Sequence, residues 1–98
     1  MMETVPEVVQ VVPGENYTFY AYFSDGSIHL YDMEPLLKEG TVFAPLKDIK
    51  VFRQALTVLN HTAAFDIEGN RDPYSCIDIA PEEIYTGKKV SDPLEVTA

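Results

Sequence analysis

The chain has little that could support cross-linking, membrane insertion or polyanion binding. It has one cysteine in 98 residues, Cys76, so no disulfide can close within it. No apolar run approaches the ~18 residues of a membrane-spanning helix. The opening Met1-Met2-Glu3-Thr4 lacks the basic stretch and long apolar core of a secretory signal. The expectation is therefore a cytoplasmic protein. Basic residues are scarce, seven Lys and Arg against sixteen Asp and Glu, for a formal net charge of −9. Phosphate backbones and anionic lipid surfaces repel such a chain, so neither nucleic acid nor membrane is an expected partner. Tryptophan is absent, and the five glycines are scattered, which leaves no glycine-rich phosphate loop.

What is present is apolar enough to fold. The hydrophobic fraction is 46%, with six Tyr and five Phe, well above the composition of disordered chains. The length suits a single domain over residues 1–98, with a core over about 4–86 and a looser tail over 87–98.

Local patterns place the elements. Thr4 to Val12 is rich in valine and reads as a first strand. Pro13-Gly14-Glu15-Asn16 is a turn cluster. Tyr17 to Ser24 is strongly strand-forming, and its alternation separates Tyr17, Phe19, Ala21 and Phe23 from Thr18, Tyr20, Tyr22 and Ser24. The first set is the more apolar and is expected to meet the core. Asp25-Gly26 then leads into Ile28 to Asp32 and reads as a two-residue hairpin turn with positive φ at both positions.

Asp32 is placed to cap a helical turn over Met33 to Lys38, with Pro35 near its start and Gly40 ending it. Val42 to Leu46 reads as extended or irregular, because Pro45 restricts Ala44. Asp48 caps a helix from about Ile49 to Ala55, with Ile49, Phe52 and Leu56 on one face. Leu56 to Leu59, a turn at Asn60-His61, and Thr62 to Ile67 read as a second hairpin. A polar loop over Glu68 to Tyr74, a short strand from Cys76 to Ile79 and one helical turn from Pro81 to Tyr85 complete the pattern. Strands, then helix, then strands, with hairpin signals and no βαβ alternation, indicate an α+β domain of two layers, with an antiparallel sheet and one or two short helices.

Four stretches, taken in order, resemble a known family. They are Phe23-Ser24-Asp25-Gly26 continuing to Tyr31-Asp32-Met33; Gly40 to Asp48 followed by Phe52; Phe65-Asp66-Ile67 with Asn70-Arg71-Asp72; and Ile77 to Tyr85. Together they are similar to the small prokaryotic proteins grouped as domain of unknown function 2442. Phe65 stands where that family usually has Trp, so an aromatic is kept but the indole N–H is lost. The resemblance implies a compact α+β fold and no particular activity. Many relatives are encoded beside another small protein, as in toxin–antitoxin pairs.

The candidate functional residues each have a plainer reading. Asp25, Asp32, Asp48, Asp72 and Asp78 all lie beside turns or element ends. Such positions suit a carboxylate cluster for a divalent cation or acid–base work, but they equally suit turn-setting and helix capping, which is what Asp does best there. No spacing matches an ordered cation loop, and no metal or cofactor is expected. Arg71 and Asp72 suit a partner contact or an ion pair with Asp66 or Asp78. Cys76 lacks a base at compact spacing, since the only histidines are His29 and His61, and it reads as a buried, inert thiol. Tyr20, Tyr22 and Tyr31 are expected to share one hairpin face, open to a partner or covered by helices.

These readings favour a non-enzymatic protein-interaction module with a basic partner, an acidic, antitoxin-like member of a two-protein system, using Tyr20, Tyr22, Tyr31, Arg71, Asp72 and Asp78. A small acid–base or metal-dependent enzyme on the loop carboxylates, and a module that self-associates through an edge strand, are the alternatives.

Overall fold

The computed structural model describes residues 5–38, 40–69 and 76–92. Strands β1 (Val8–Pro13), β2 (Thr18–Phe23), β3 (Ile28–Asp32) and β7 (Lys88–Lys89) form one antiparallel sheet in the order β1-β2-β3-β7. Strands β4 (Leu56–Leu59), β5 (Thr62–Phe65) and β6 (Ile77–Asp78) form a second, in the order β4-β5-β6. Helices α1 (Ile49–Ala55) and α2 (Pro81–Tyr85) join them. The fold is α+β, as the sequence pattern indicates, but its strands divide between two sheets.

The first hairpin differs from expectation in a way that changes the surface. Phe23 N–H donates to Ser27 O at 2.9 Å and Gly26 N–H to Phe23 O at 3.0 Å, which closes a three-residue loop over Ser24-Asp25-Gly26. Within it only Gly26 has positive φ, +88°. This is a type I turn followed by a glycine bulge, not the two-residue turn that Asp-Gly also suits. The extra residue sets the register Tyr22↔Ile28, Tyr20↔Leu30, Phe19↔Tyr31. A one-residue shift moves a whole strand's side chains to the other face. Tyr31 therefore stands on the core face with Phe19, not with Tyr20 and Tyr22. The two-residue turn occurs instead at Asn60-His61, where φ is 54° and 66° and Leu59 pairs with Thr62.

Side-chain oxygens help set the helical pieces. Asp32 Oδ1 accepts from Glu34 N–H at 2.9 Å where the chain enters a 3-10 turn, Glu34–Leu36, but the N-cap position of that turn is Met33, without a side-chain bond. Asp48 Oδ1 accepts from Lys50 N–H at 3.0 Å and starts α1 at the expected residue. Ala44–Lys47 is a second 3-10 turn and not extended, because Pro45 sits in its first turn, where no N–H is needed. Helix α1 buries Phe52 and Ala55 and leaves Ile49 exposed, while Leu56 already belongs to β4. The face expected from Ile49, Phe52 and Leu56 is thus rotated toward Ala55. Helix α2 has Ala80 at its N-cap without a side-chain bond. Asp78 lies exposed in β6 and does not cap α2.

The core is a relay of rings. Tyr31 packs on Phe19 (centroids 5.7 Å apart), Phe19 on Phe65 (6.1 Å), Phe65 on Phe52 (5.0 Å) and Phe52 on Tyr17 (5.6 Å). Phe19, Phe52 and Phe65 are fully buried, each worth about 1.5–3 kcal/mol of burial. They come from β2, α1 and β5, so the relay joins the two sheets directly through Phe19 and Phe65 and seats α1 on them through Phe52. Backbone bonds support it: Val8 N–H donates to His61 O at 3.0 Å, bringing β1 against the second hairpin.

After α2, residues 88–90 add to the first sheet although their polar composition carries no strand signal. Lys88 and Lys89 pair with Leu30 and His29, and Val90 N–H donates to Ile28 O at 2.8 Å. The four-stranded sheet thus takes in Lys88 and Lys89 as its edge. Lysines on a two-residue edge strand also discourage further strand addition.

Candidate functional site

Register fixes the two faces of the four-stranded sheet. The inner face carries Phe19, Ala21, Phe23, His29 and Tyr31. Across the outer face Val12 stands opposite Tyr20, and Tyr20 opposite Leu30. These three side chains are half-buried and lie outside the core cluster. Glu15, Asp32 and Glu34, all exposed, gather at the Thr18 end of this face: Thr18 Oγ donates to Glu15 O, Asp32 pairs with Thr18, and Glu34 N–H donates to Asp32. Lys88 flanks Leu30 on the opposite edge. The other end is covered by the chain itself. Tyr22 OH donates to Asp92 Oδ1 at 2.6 Å, and Ile28 is buried although it belongs to no core cluster.

A polar network occupies the inner face near the hairpin loop. Asp25 Oδ1 accepts from Ser27 N–H at 2.8 Å and from Ser27 Oγ–H at 2.5 Å, and Asp25 Oδ2 accepts from Tyr85 OH at 2.7 Å. The Ser27 hydroxyl, then its amide, then the Tyr85 hydroxyl hold the Asp25 carboxyl down to about 2. The same Asp25 contact raises the Tyr85 phenol. His29, buried beside Ala21, reaches Ser27 Oγ with Nε2 (3.2 Å) and Gly87 O with Nδ1 (3.0 Å). Its ring lies against Tyr85 (4.5 Å) and Phe23 (5.2 Å). Further along, burial first and then the Glu83 carboxylate, 3.1 Å away, push the Tyr31 phenol up to about 12.

A serine beside a histidine invites comparison with nucleophilic catalysis, but the arrangement does not serve it. Ser27 is only 8% exposed, and its hydroxyl is held by Asp25 and not aimed at open space. The network is a tie between the hairpin loop, the end of α2 and the start of β7. Sequence reasoning did not find it. Its signal was the alternation Ser27, His29, Tyr31 on one strand face, together with the Asx-type turn that Asp25-Gly26-Ser27 makes.

The other candidates are dispersed. Asp25, Asp32 and Asp48 serve local turns and caps, as the plainer reading had it. Arg71 and Asp72 lie outside the described residues, and Asp78 is exposed on β6. Cys76 is half-exposed and not buried, while the contacts of His29 lie in the network and those of His61 with Glu7, 3.4 Å away. Among the described residues no three His, Cys, Asp or Glu side chains converge as a metal site. A shallow depression between α1 and the 66–69 turn is lined by Val51, Gln54, Ala55, Asp66, Ile67 and Gly69, with Asp66 engaged by the Gly69 amide. No helix among the described residues is long and apolar enough to cross a membrane.

No curated protein and no solved structure matches the chain. A family model does, over residues 8–90, a span that takes in both sheets, both helices and strand β7. By that match the chain belongs to the family described as protein of unknown function (DUF2442).

Proposed function

We propose that this domain is a protein-interaction module, the acidic member of a two-protein pair, and that it docks its partner on the outer face of the four-stranded sheet. The observation that carries this reading is the strip Val12, Tyr20 and Leu30. It runs across three strands, half-exposed and outside the core, next to the exposed carboxylates Glu15, Asp32 and Glu34. Tyrosine with an apolar surround and a charged rim is the composition of an interface centre. The rim and the net charge of −9 favour a basic partner, attracted over a distance set by salt.

The test is capture from source cells at low and high salt, run in parallel with the native chain and a Tyr20→Ala variant shown to unfold at a similar temperature. One near-stoichiometric basic protein, released at high salt and lost with Tyr20→Ala, supports the proposal. A partner retained equally by Tyr20→Ala, or one that is acidic, refutes it.

A further inference from the structure

The protons of the network on the inner face can be counted. Gly87 O only accepts, so Nδ1 of His29, 3.0 Å away, carries a proton. On the other side of the ring Nε2 lies 3.2 Å from Ser27 Oγ. Ser27 has one hydroxyl proton, and its oxygen is 2.5 Å from Asp25 Oδ1. A contact this short between a hydroxyl and a carboxylate has the proton between them. Ser27 then offers His29 only lone pairs, and Nε2 must also donate.

Only the doubly protonated ring satisfies both of its own contacts while Ser27 keeps its proton toward Asp25. In the neutral Nε2–H form, a bare Nδ1 faces Gly87 O. In the neutral Nδ1–H form, a bare Nε2 faces the lone pairs of Ser27, unless the hydroxyl turns to it and abandons Asp25. The groups packed around the ring suit a cation. Tyr85 of α2 and Phe23 of β2 present rings at 4.5 and 5.2 Å, within the range at which aromatic rings attract cations. Asp25 of the loop supplies the nearby negative charge. The opposing charge is Lys89 of β7, which pairs with His29 and is exposed to water.

We propose that His29 is a proton-operated latch. Its imidazolium ties the β2–β3 loop, through Ser27 and Asp25, to Gly87 at the start of the segment that forms β7 and crosses to Tyr22. Loss of one ring proton opens a link in that tie and loosens residues 87–92 on the sheet. The latch is independent of what docks on the outer face.

Nitrogen-detected NMR of the His29 ring on the full chain, across the pH 5–8 interval in which histidines change charge, tests this. Hydrogen-exchange protection of the Ser27 and Val90 amides, corrected for intrinsic exchange, is followed alongside. Both ring nitrogens are expected to be protonated at the acidic end. Protection is expected to fall roughly tenfold, the equivalent of one hydrogen bond, as the ring loses a proton. Ser27→Ala removes the competing hydroxyl while keeping the residue-27 amide, so protection should no longer follow the ring; His61→Gln should leave the coupling intact. Protection that is unchanged across the His29 titration, or that follows it equally in Ser27→Ala, overturns the latch.

Discussion

Phe19 and Tyr31 face each other across β2 and β3, their rings 5.7 Å apart on the core side of the sheet. That pairing exists because the intervening loop holds three residues. With two, Tyr31 would stand opposite Tyr20 on the other face. One residue of loop length thus decides whether a tyrosine completes the core or joins the outer surface, and Gly26 is the residue that permits it. Gly26→Ala introduces no clash, since nothing lies within 4 Å of the added carbon. Its cost is conformational, about 1–2 kcal/mol for an L side chain in the left-handed region. Urea unfolding should show a lower midpoint with an unchanged slope. An unaltered midpoint would mean that the loop does not hold this turn.

Phe65 of β5 joins the two sheets by its contact with Phe19 and holds α1 by its contact with Phe52. Phe65→Ala should destabilise the domain by about 3–5 kcal/mol, the range for removing a buried ring and leaving a cavity. That is a large part of the roughly 5–15 kcal/mol of a typical domain. The variant is expected to unfold at much lower urea or to lose its cooperative transition. A loss of under about 1 kcal/mol, the scale of an ordinary surface change, would contradict the ring relay.

Tyr31 should ionise late in alkali. Its phenol is raised from 10.0 to about 12 by burial and by Glu83. Because the folded value lies above the unfolded one, the stabilisation is complete below pH 10 and is lost as pH rises through about 12. Absorbance titration should show a late phenolate step that Tyr31→Phe removes. Glu83→Gln should bring that step to lower pH, since it removes the carboxylate but keeps a hydrogen-bonding side chain.

Much of this architecture is legible from short-range chemistry. Asp48 caps α1, and Asp32 holds the Glu34 amide ahead of a 3-10 turn whose N-cap is Met33, because a carboxylate two residues before a free amide is a local arrangement. Asn60-His61 turns where it is expected because the flanking strands leave only two residues. What is not legible depends on partners distant in sequence. Asp25-Gly26 suits two loop lengths, and the choice between them rests on which face of β3 is buried. Lys88-Lys89 has no strand signal of its own and becomes β7 only because β3 offers an edge. The Asp25–Ser27–His29–Tyr85 network joins positions up to 60 residues apart, so no spacing rule reveals it. Val12, Tyr20 and Leu30 share the outer face only by virtue of the same register.

Asp25 gives the fold an acid-sensitive component whose sign follows from its contacts. In the folded chain two hydrogen bonds from Ser27 and one from Tyr85 favour the carboxylate, and its value falls from 3.8 to about 2. The unfolded chain lacks those donors, so it takes up the proton at higher pH. Between the two values the unfolded state binds more protons, and stability must decline as pH falls. The contribution is therefore fully present above about pH 4 and disappears as pH drops through about 2. Asp25 is exposed, so water and salt screen part of the effect. Asp25→Asn keeps an oxygen for the Ser27 amide but has no carboxylate to protonate. Its urea midpoint should lie below that of the native chain at pH 6 and should fall less between pH 4 and pH 2. The two curves should converge at the acidic end, because the protonated native side chain and the asparagine are then both neutral. Parallel curves would show that Asp25 is not held ionised by Ser27 and Tyr85. The acid sensitivity would then belong to the other carboxylates.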